Sequence, residues 1–174
     1  PRRLDQKEGQ IDSKNYHLVA LCKNANGYKN LIQLVSIASI DGFYYKPRID
    51  KEILKKYKDD IIFLSGCLKG EIPFHLANGD KESAEESLKE YIDILGKEDF
   101  YLELQYHPNH KSQLKVNQEL EELAKKYNLK TVLTCDSHYL RTEDRETHEV
   151  LLAIQTGLTM NDNNRMSLRD FDLS

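Results

Sequence analysis

The feature that most constrains this chain is a repeated switch between two hydrophobic periods. Short continuous apolar runs of strand length alternate with stretches whose apolar residues recur every three or four positions, the spacing of one helix face. The first run, residues 17–22, ends at Asn24-Ala25-Asn26-Gly27, which reads as a turn. Tyr28, Leu31, Ile32, Val35 and Ala38 then mark a helix, and after a polar loop residues 49–57 read as a shorter one. Ile61-Ile62-Phe63-Leu64 is a second strand running into Ser65-Gly66-Cys67. Asp80 can cap the next helix, which carries Ala84, Leu88, Tyr91, Ile92 and Leu95 and stops at Gly96. Phe100-Tyr101-Leu102-Glu103-Leu104 is a third strand, followed by a helix on Val116, Leu120, Leu123, Ala124 and Tyr127 that ends near Asn128. Thr131-Val132-Leu133-Thr134 is a fourth, and Thr142, Glu143 and Asp144 open a last helix with Val150, Leu151 and Ile154.

Strands alternating with amphipathic helices predict βα units on a parallel sheet. Continuous apolar strands predict cover on both faces. Four units are too few to close a barrel, so the expectation is α/β, as an open sheet or as part of a barrel. In either case functional groups belong in the loops after the C-terminal strand ends. The 174 residues suit one domain or part of a larger one. No apolar run approaches the ~20 residues a bilayer requires, and no membrane partner is expected. The 10 Tyr and 5 Phe lie in periodic segments, which argues against disorder.

Charge narrows the function classes. Lys and Arg number 25 against 29 Asp and Glu, a net charge of −4. A self-sufficient nucleic-acid binder shows a basic face instead. Residues 44–58 are the exception, with six cations (Lys46, Arg48, Lys51, Lys55, Lys56, Lys58) against Asp50 and Glu52. Such a run reads first as a solvated face; Lys46, Arg48, Lys55 and Lys56 are its candidates for DNA phosphate contacts. The three cysteines lack CxxC spacing and no apolar signal region opens the chain, so reduced thiols and a cytoplasmic location are expected. A polar start without Met and an end at Leu173-Ser174 suggest a piece of a longer protein.

The strand-end rule singles out Cys67 and Asp136-Ser137-His138. In an extended segment residues i and i+2 share a side, so Asp136 and His138 would present a carboxylate and an imidazole together, donors suited to zinc or manganese. The plain structural alternative is an Asp capping a turn and a His in a local hydrogen bond. Cys135 would then point the other way, into the core. Taken alone, Cys67 reads as a small buried hydrophobe and His17 as an edge histidine. His107 and His110, in Tyr106-His107-Pro108-Asn109-His110, read as surface histidines, and His75 and His148 as packing residues. Walker, GxSxG and GxGxxG patterns are absent.

Several longer stretches are familiar. His17-Leu18-Val19-Ala20-Leu21-Cys22-Lys23-Asn24, Gly27-Tyr28-Lys29-Asn30-Leu31, Gly42-Phe43-Tyr44-Tyr45-Lys46-Pro47-Arg48-Ile49-Asp50, Leu64-Ser65-Gly66-Cys67-Leu68-Lys69-Gly70-Glu71-Ile72-Pro73, Asp136-Ser137-His138-Tyr139-Leu140, Ile154-Gln155-Thr156-Gly157 and Asn164-Arg165-Met166 occur in order. Together they resemble the PHP (polymerase and histidinol phosphatase) domain of the bacterial replicative DNA polymerase III alpha subunit family. The resemblance runs from about Tyr16 to Met166. It implies that residues 1–174 are a partial PHP domain, a distorted seven-stranded β/α barrel with about four βα units present and the first three missing. It implies a cluster of up to three metal ions at the strand ends, with His17, Cys67, Asp136 and His138 among the ligands. The remaining ligands would precede Pro1, and the palm carboxylates that add nucleotides, with their magnesium, would follow Ser174.

Three functions compete on this basis. The first is a metal-dependent 3′→5′ proofreading exonuclease within a DNA-directed DNA polymerase, working through DNA, deoxynucleoside triphosphates, a sliding clamp and other replisome subunits. No residue here stands out as a general acid, so no catalytic residue is assigned and the segment by itself is expected to be inactive. The second is a non-catalytic domain that steadies the polymerase and docks a separate proofreading subunit. The third is a free-standing PHP phosphoesterase, disfavoured because residues 42–50 and 164–166 resemble the polymerase branch.

Overall fold

A computed structural model describes residues 3–107, 110–169 and 173–174. Pro1 and Arg2 of the polar start, and Pro108 and Asn109 of the histidine loop, lie outside the described residues. The element order is α1 (Gly9–Ser13), β1 (Val19–Cys22), α2 (Ala25–Ile40), α3 (Lys51–Tyr57), β2 (Ile61–Leu64), α4 (Glu71–Ala77), α5 (Lys81–Leu95), β3 (Phe100–Gln105), α6 (Lys111–Tyr127), β4 (Lys130–Thr134), a 3-10 turn at Thr142–Asp144, and α7 (Arg145–Thr156). The four strands form one sheet in the order β1-β2-β3-β4.

Local chemistry sets the helix limits. Asp80 accepts from Ser83 N–H at 3.0 Å to start α5, and Gly96 ends it at φ 79°. Asn128 ends α6 in the left-handed region at φ 53°. The stretch read as a turn at 24–27 is the first turn of α2 instead, because Asn24 Oδ1 accepts from the backbone N–H groups of Asn26 and Gly27 at 2.8 and 3.1 Å. Helices α1 and α4 carry too little periodic signal to be read from sequence; α4 follows Gly70 directly and tolerates Pro73 within its first turn.

Strand direction departs from the sequence expectation. β2, β3 and β4 are parallel, but β1 pairs antiparallel with β2, Val19 facing Leu64 and Cys22 facing Ile61. Two helices, not one, separate β1 from β2. α2 carries the chain away from Cys22, and α3 brings it back to the same sheet end. There Lys23 N–H donates to Asp60 O and Asn24 Nδ2 to Asp60 Oδ1, both at 2.9 Å. A Cβ on Gly27 would lie 2.0 Å from Asp60 O, so this approach requires glycine.

The core lies on one face of the sheet. Ile61 and Phe63 of β2 and Phe100, Leu102 and Leu104 of β3 alternate toward Leu34, Leu54, Ile72, Leu88, Val116 and Leu120, contributed by α2 through α6. Tyr91 stacks on Phe100 at 5.3 Å between ring centroids. The helices α2 through α6 cover this face alone, where cover on both was expected, and the edge strands are open: Leu21 of β1 and Leu133 of β4 are 50 % and 66 % exposed. Cys135, expected in the core, is exposed because it follows β4 on the same uncovered side as Leu133. The face opposite the helices carries Leu64, Glu103 and Gln105, buried, beside half-buried Tyr101, Val132 and Thr134.

Helix α7 is tied down by charge. Buried Glu149 accepts from Arg165 Nη1, from Ser167 Oγ at 2.7 Å and from Leu168 N–H at 2.9 Å. Among the described residues, no helix is long and apolar enough to cross a membrane.

Candidate metal centre

The antiparallel start of the sheet creates the first half of the site. Since Val19 faces Leu64, the residues just before β1 and just after β2 emerge at one end of the sheet. His17 N–H donates to Lys69 O at 3.0 Å, fastening the entry of β1 to the turn that follows β2. Gly66 makes that turn possible. Its φ is 78°, and a Cβ there would meet His17 O at 2.8 Å. The result is that His17 Nδ1 lies 3.2 Å from Cys67 Sγ.

The second half lies beyond β4. Asp136 holds φ 51°, a left-handed conformation uncommon outside Gly, Asn and Asp. The segment is therefore not extended, and the shared side expected of residues i and i+2 does not arise from simple alternation. Instead His138 turns back so that its Nδ1–H donates to Asp136 O at 2.6 Å. A carbonyl oxygen only accepts, so the ring proton sits on Nδ1 and Nε2 keeps its lone pair for a ligand. The C-terminal residues brace this segment: His138 N–H donates to Leu173 O at 2.7 Å, and Ser137 Oγ donates to Ser174 O at 3.1 Å. His148 packs its ring against His138 and Tyr139, as a packing residue should. His75 likewise sits beside Tyr16 and Phe74.

His107 corrects the reading of the histidine loop. It is only 4 % exposed, and Asp136, His110 and His138 all act on it electrostatically. Burial is the main cause that pushes its imidazole pKa below the ordinary histidine value, Asp136 opposing and the two histidines reinforcing. His110 is half-buried and serves as the cap of α6, its Nδ1 accepting from Gln113 N–H at 3.2 Å. Sequence reasoning missed His107 and Glu103 alike. Strand alternation continued past Gln105 would have found them, since 103, 105 and 107 share a side.

The donor types fit a divalent cation. Zinc takes sulfur at ~2.3 Å and imidazole nitrogen at ~2.0–2.1 Å, so tetrahedral ligands of these kinds lie about 3.5 Å apart. The His17–Cys67 separation of 3.2 Å is close to that. Asp136 and His138 add a carboxylate and an oriented imidazole, but among the described residues no group of three or more His, Cys, Asp and Glu side chains is gathered tightly enough to hold an ion.

The basic stretch is less available than its composition suggests. Arg48 is 2 % exposed and donates to the backbone carbonyls of Gly42, Asp12, Leu4 and Gln6, so it is a structural cation and not a phosphate contact. Lys51 bonds Glu71 and Glu90, and Lys58 bonds Asp59. Lys46, Lys55 and Lys56 are exposed.

A helix layer on one face of a mostly parallel sheet, with His and Cys meeting at one strand end and Asp and His beyond another, describes an α/β domain whose candidate site lies at the strand ends. The family pattern described as the PHP domain matches residues 4–107, and the chain belongs to that family. It is 46 % identical over 164 residues to the DNA polymerase III subunit alpha of Thermus aquaticus, covering 94 % of this chain and 13 % of that protein. Identity to the subunit of the same name from Aquifex aeolicus is 43 % over 162 residues, 92 % of this chain and 14 % of the relative. For that from Treponema pallidum it is 39 % over 167 residues, 96 % and 14 %. The chain thus spans about a seventh of the length of these relatives.

Proposed function

We propose that this chain is part of the PHP domain of a bacterial replicative DNA polymerase, and that His17, Cys67, Asp136 and His138 contribute to a divalent-metal centre supporting 3′→5′ removal of misincorporated nucleotides. The observation that carries the reading is the approach of His17 to Cys67, two groups able to ligate a metal that the antiparallel pairing of β1 and β2 brings to one end of the sheet. The helix layer on one sheet face supports a slice of a β/α barrel, whose helices all lie outside. Relatives that are large polymerase subunits weigh against a free-standing phosphoesterase.

A bound divalent ion would supply Lewis acidity and a nucleophile near neutral pH. The chain's own residues prepare for it. The Gly66 turn holds the thiol against His17, the Asp136 carbonyl fixes the His138 proton on Nδ1, and Asp136 brings negative charge to the same strand end. Nucleotide addition is assigned to magnesium-bound carboxylates in other parts of the protein, and DNA, deoxynucleoside triphosphates and replisome subunits are the partners of the whole.

The test is metal content by elemental analysis in the full-length protein, with separate assays of incorporation and mismatch removal. Asp136→Asn and His138→Ala should both lower metal content and mismatch removal, with incorporation much less affected. Loss of metal with mismatch removal unchanged would favour the non-catalytic, docking role. Unchanged metal in both variants would reduce 136–138 to a strand-end turn.

A further inference from the structure

The sheet face opposite the helices holds a group that packing does not explain. Glu103 occupies the middle of the central strand β3, between Leu102 and Leu104, and is 5 % exposed. Its neighbours are those of the candidate ligands. Its backbone N–H donates to Ser65 Oγ at 2.9 Å, two residues before Cys67. Its Oε1 accepts from Thr134 Oγ1 at 2.7 Å, two residues before Asp136, and more weakly from Gln105 Nε2 at 3.4 Å. Glu103 thus links the strand end that carries Cys67 to the one that carries Asp136. Its second oxygen, Oε2, is buried and has no hydrogen-bond partner among the described residues.

A buried carboxylate oxygen without a donor is rare in native proteins, and each case calls for a missing partner such as an ion or a group attached to one. A leucine would fill the same position at less cost. Histidines that ligate metals regularly pass their other ring N–H to a carboxylate, which fixes tautomer and ring angle. His138 already uses a backbone carbonyl for this purpose, so the carboxylate of Glu103 remains for another imidazole of the centre.

We propose that Glu103 is a positioning residue of the metal centre, its Oε2 accepting a hydrogen bond from the N–H of a ligating imidazole. This rests on the metal-centre reading above, and the two can fail separately. The experiment is competition for zinc between the full-length polymerase and a chromophoric chelator, on wild type, Glu103→Gln, Thr134→Val and Asp136→Asn, with folding checked by circular dichroism. Glu103→Gln keeps shape and can still accept from Thr134. It should hold the same amount of zinc at saturation but with a dissociation constant about 10–100-fold higher. Thr134→Val, which removes the closer of the two Oε1 partners and leaves Oε2 untouched, should weaken zinc binding clearly less than Glu103→Gln does. Wild-type affinity in Glu103→Gln, with zinc lost in Asp136→Asn, would overturn this inference and leave the metal centre standing. Equal weakening in Glu103→Gln and Thr134→Val would also overturn it, since Glu103 would then act through the fold. Absence of zinc from wild type would overturn both. Should Glu103→Gln fail to fold, Glu103→Asp, which withdraws the charge by one methylene, is judged by the same criteria.

Discussion

His17 Nδ1 and Cys67 Sγ lie 3.2 Å apart across 50 residues of chain, because β1 runs antiparallel to β2 and its first residue meets the last of its neighbour. A regular βα unit would have sent His17 to the opposite end of the sheet. The helical pair α2 and α3, which delivers the chain back to Asp60, is therefore a precondition of the site.

Gly66→Ala tests that coupling. Its φ of 78° and the approach of His17 O within 2.8 Å of a Cβ combine left-handed strain, about 1–2 kcal/mol, with a backbone collision. Amide hydrogen exchange of residues 65–70 in the full-length protein should show the turn opening at least ~10-fold more often, with zinc bound more weakly. Unchanged protection would mean that the turn tolerates a side chain and does not hold the thiol in place.

Glu149 gives a pH dependence. Burial works against its charge, but the bonds from Arg165, Leu168 N–H and Ser167 outweigh burial and hold its carboxyl at about 2, below the ordinary 4.5. A depressed folded pKa means that the stabilisation is complete above the ordinary value and is lost as pH falls toward the folded one. Protection of α7 amides, corrected for intrinsic exchange rates, should therefore decline between pH 4.5 and about 2. Glu149→Gln should remove that decline and weaken α7 by about 3 kcal/mol at neutral pH, because Arg165 loses its partner. An identical pH profile in the variant would show that another group titrates.

Much of the helical layer was legible in the sequence. Asp80, Gly96 and Asn128 each mark a limit that the structure keeps, and the apolar positions of α5 and α6 are the ones in the core. Arg48 was misleading because composition counts a cation without seeing that four carbonyls surround it. Cys135 was misleading because β4 is an edge strand in this sheet, and alternation predicts a side, not its cover. His107 was set aside as a loop residue because nothing local says that Asp136 lies nearby. The strand-end rule pointed to Cys67, but His17, and the reading of both as ligands of one centre, came only through the family resemblance, since their proximity depends on a strand direction that periodicity does not encode.

The basic stretch yields a simpler forecast. In the full-length protein, Lys55→Ala with Lys56→Ala should make the salt dependence of DNA binding shallower by nearly 2 in log–log slope if each lysine meets one phosphate, with no change in sequence preference. Arg48→Ala should instead destabilise the domain, since it unpairs buried carbonyls. Affinity and slope unchanged in the double variant would make residues 44–58 a solvated face.

The central claim is that Cys67 and His17 share one metal ion. X-ray absorption at the zinc edge of the zinc-loaded full-length protein tests it most directly. The account predicts a sulfur neighbour at ~2.3 Å that disappears in Cys67→Ser, and a weaker nitrogen shell in His17→Ala. A spectrum with nitrogen and oxygen neighbours alone, or a sulfur shell that survives in Cys67→Ser, would contradict it.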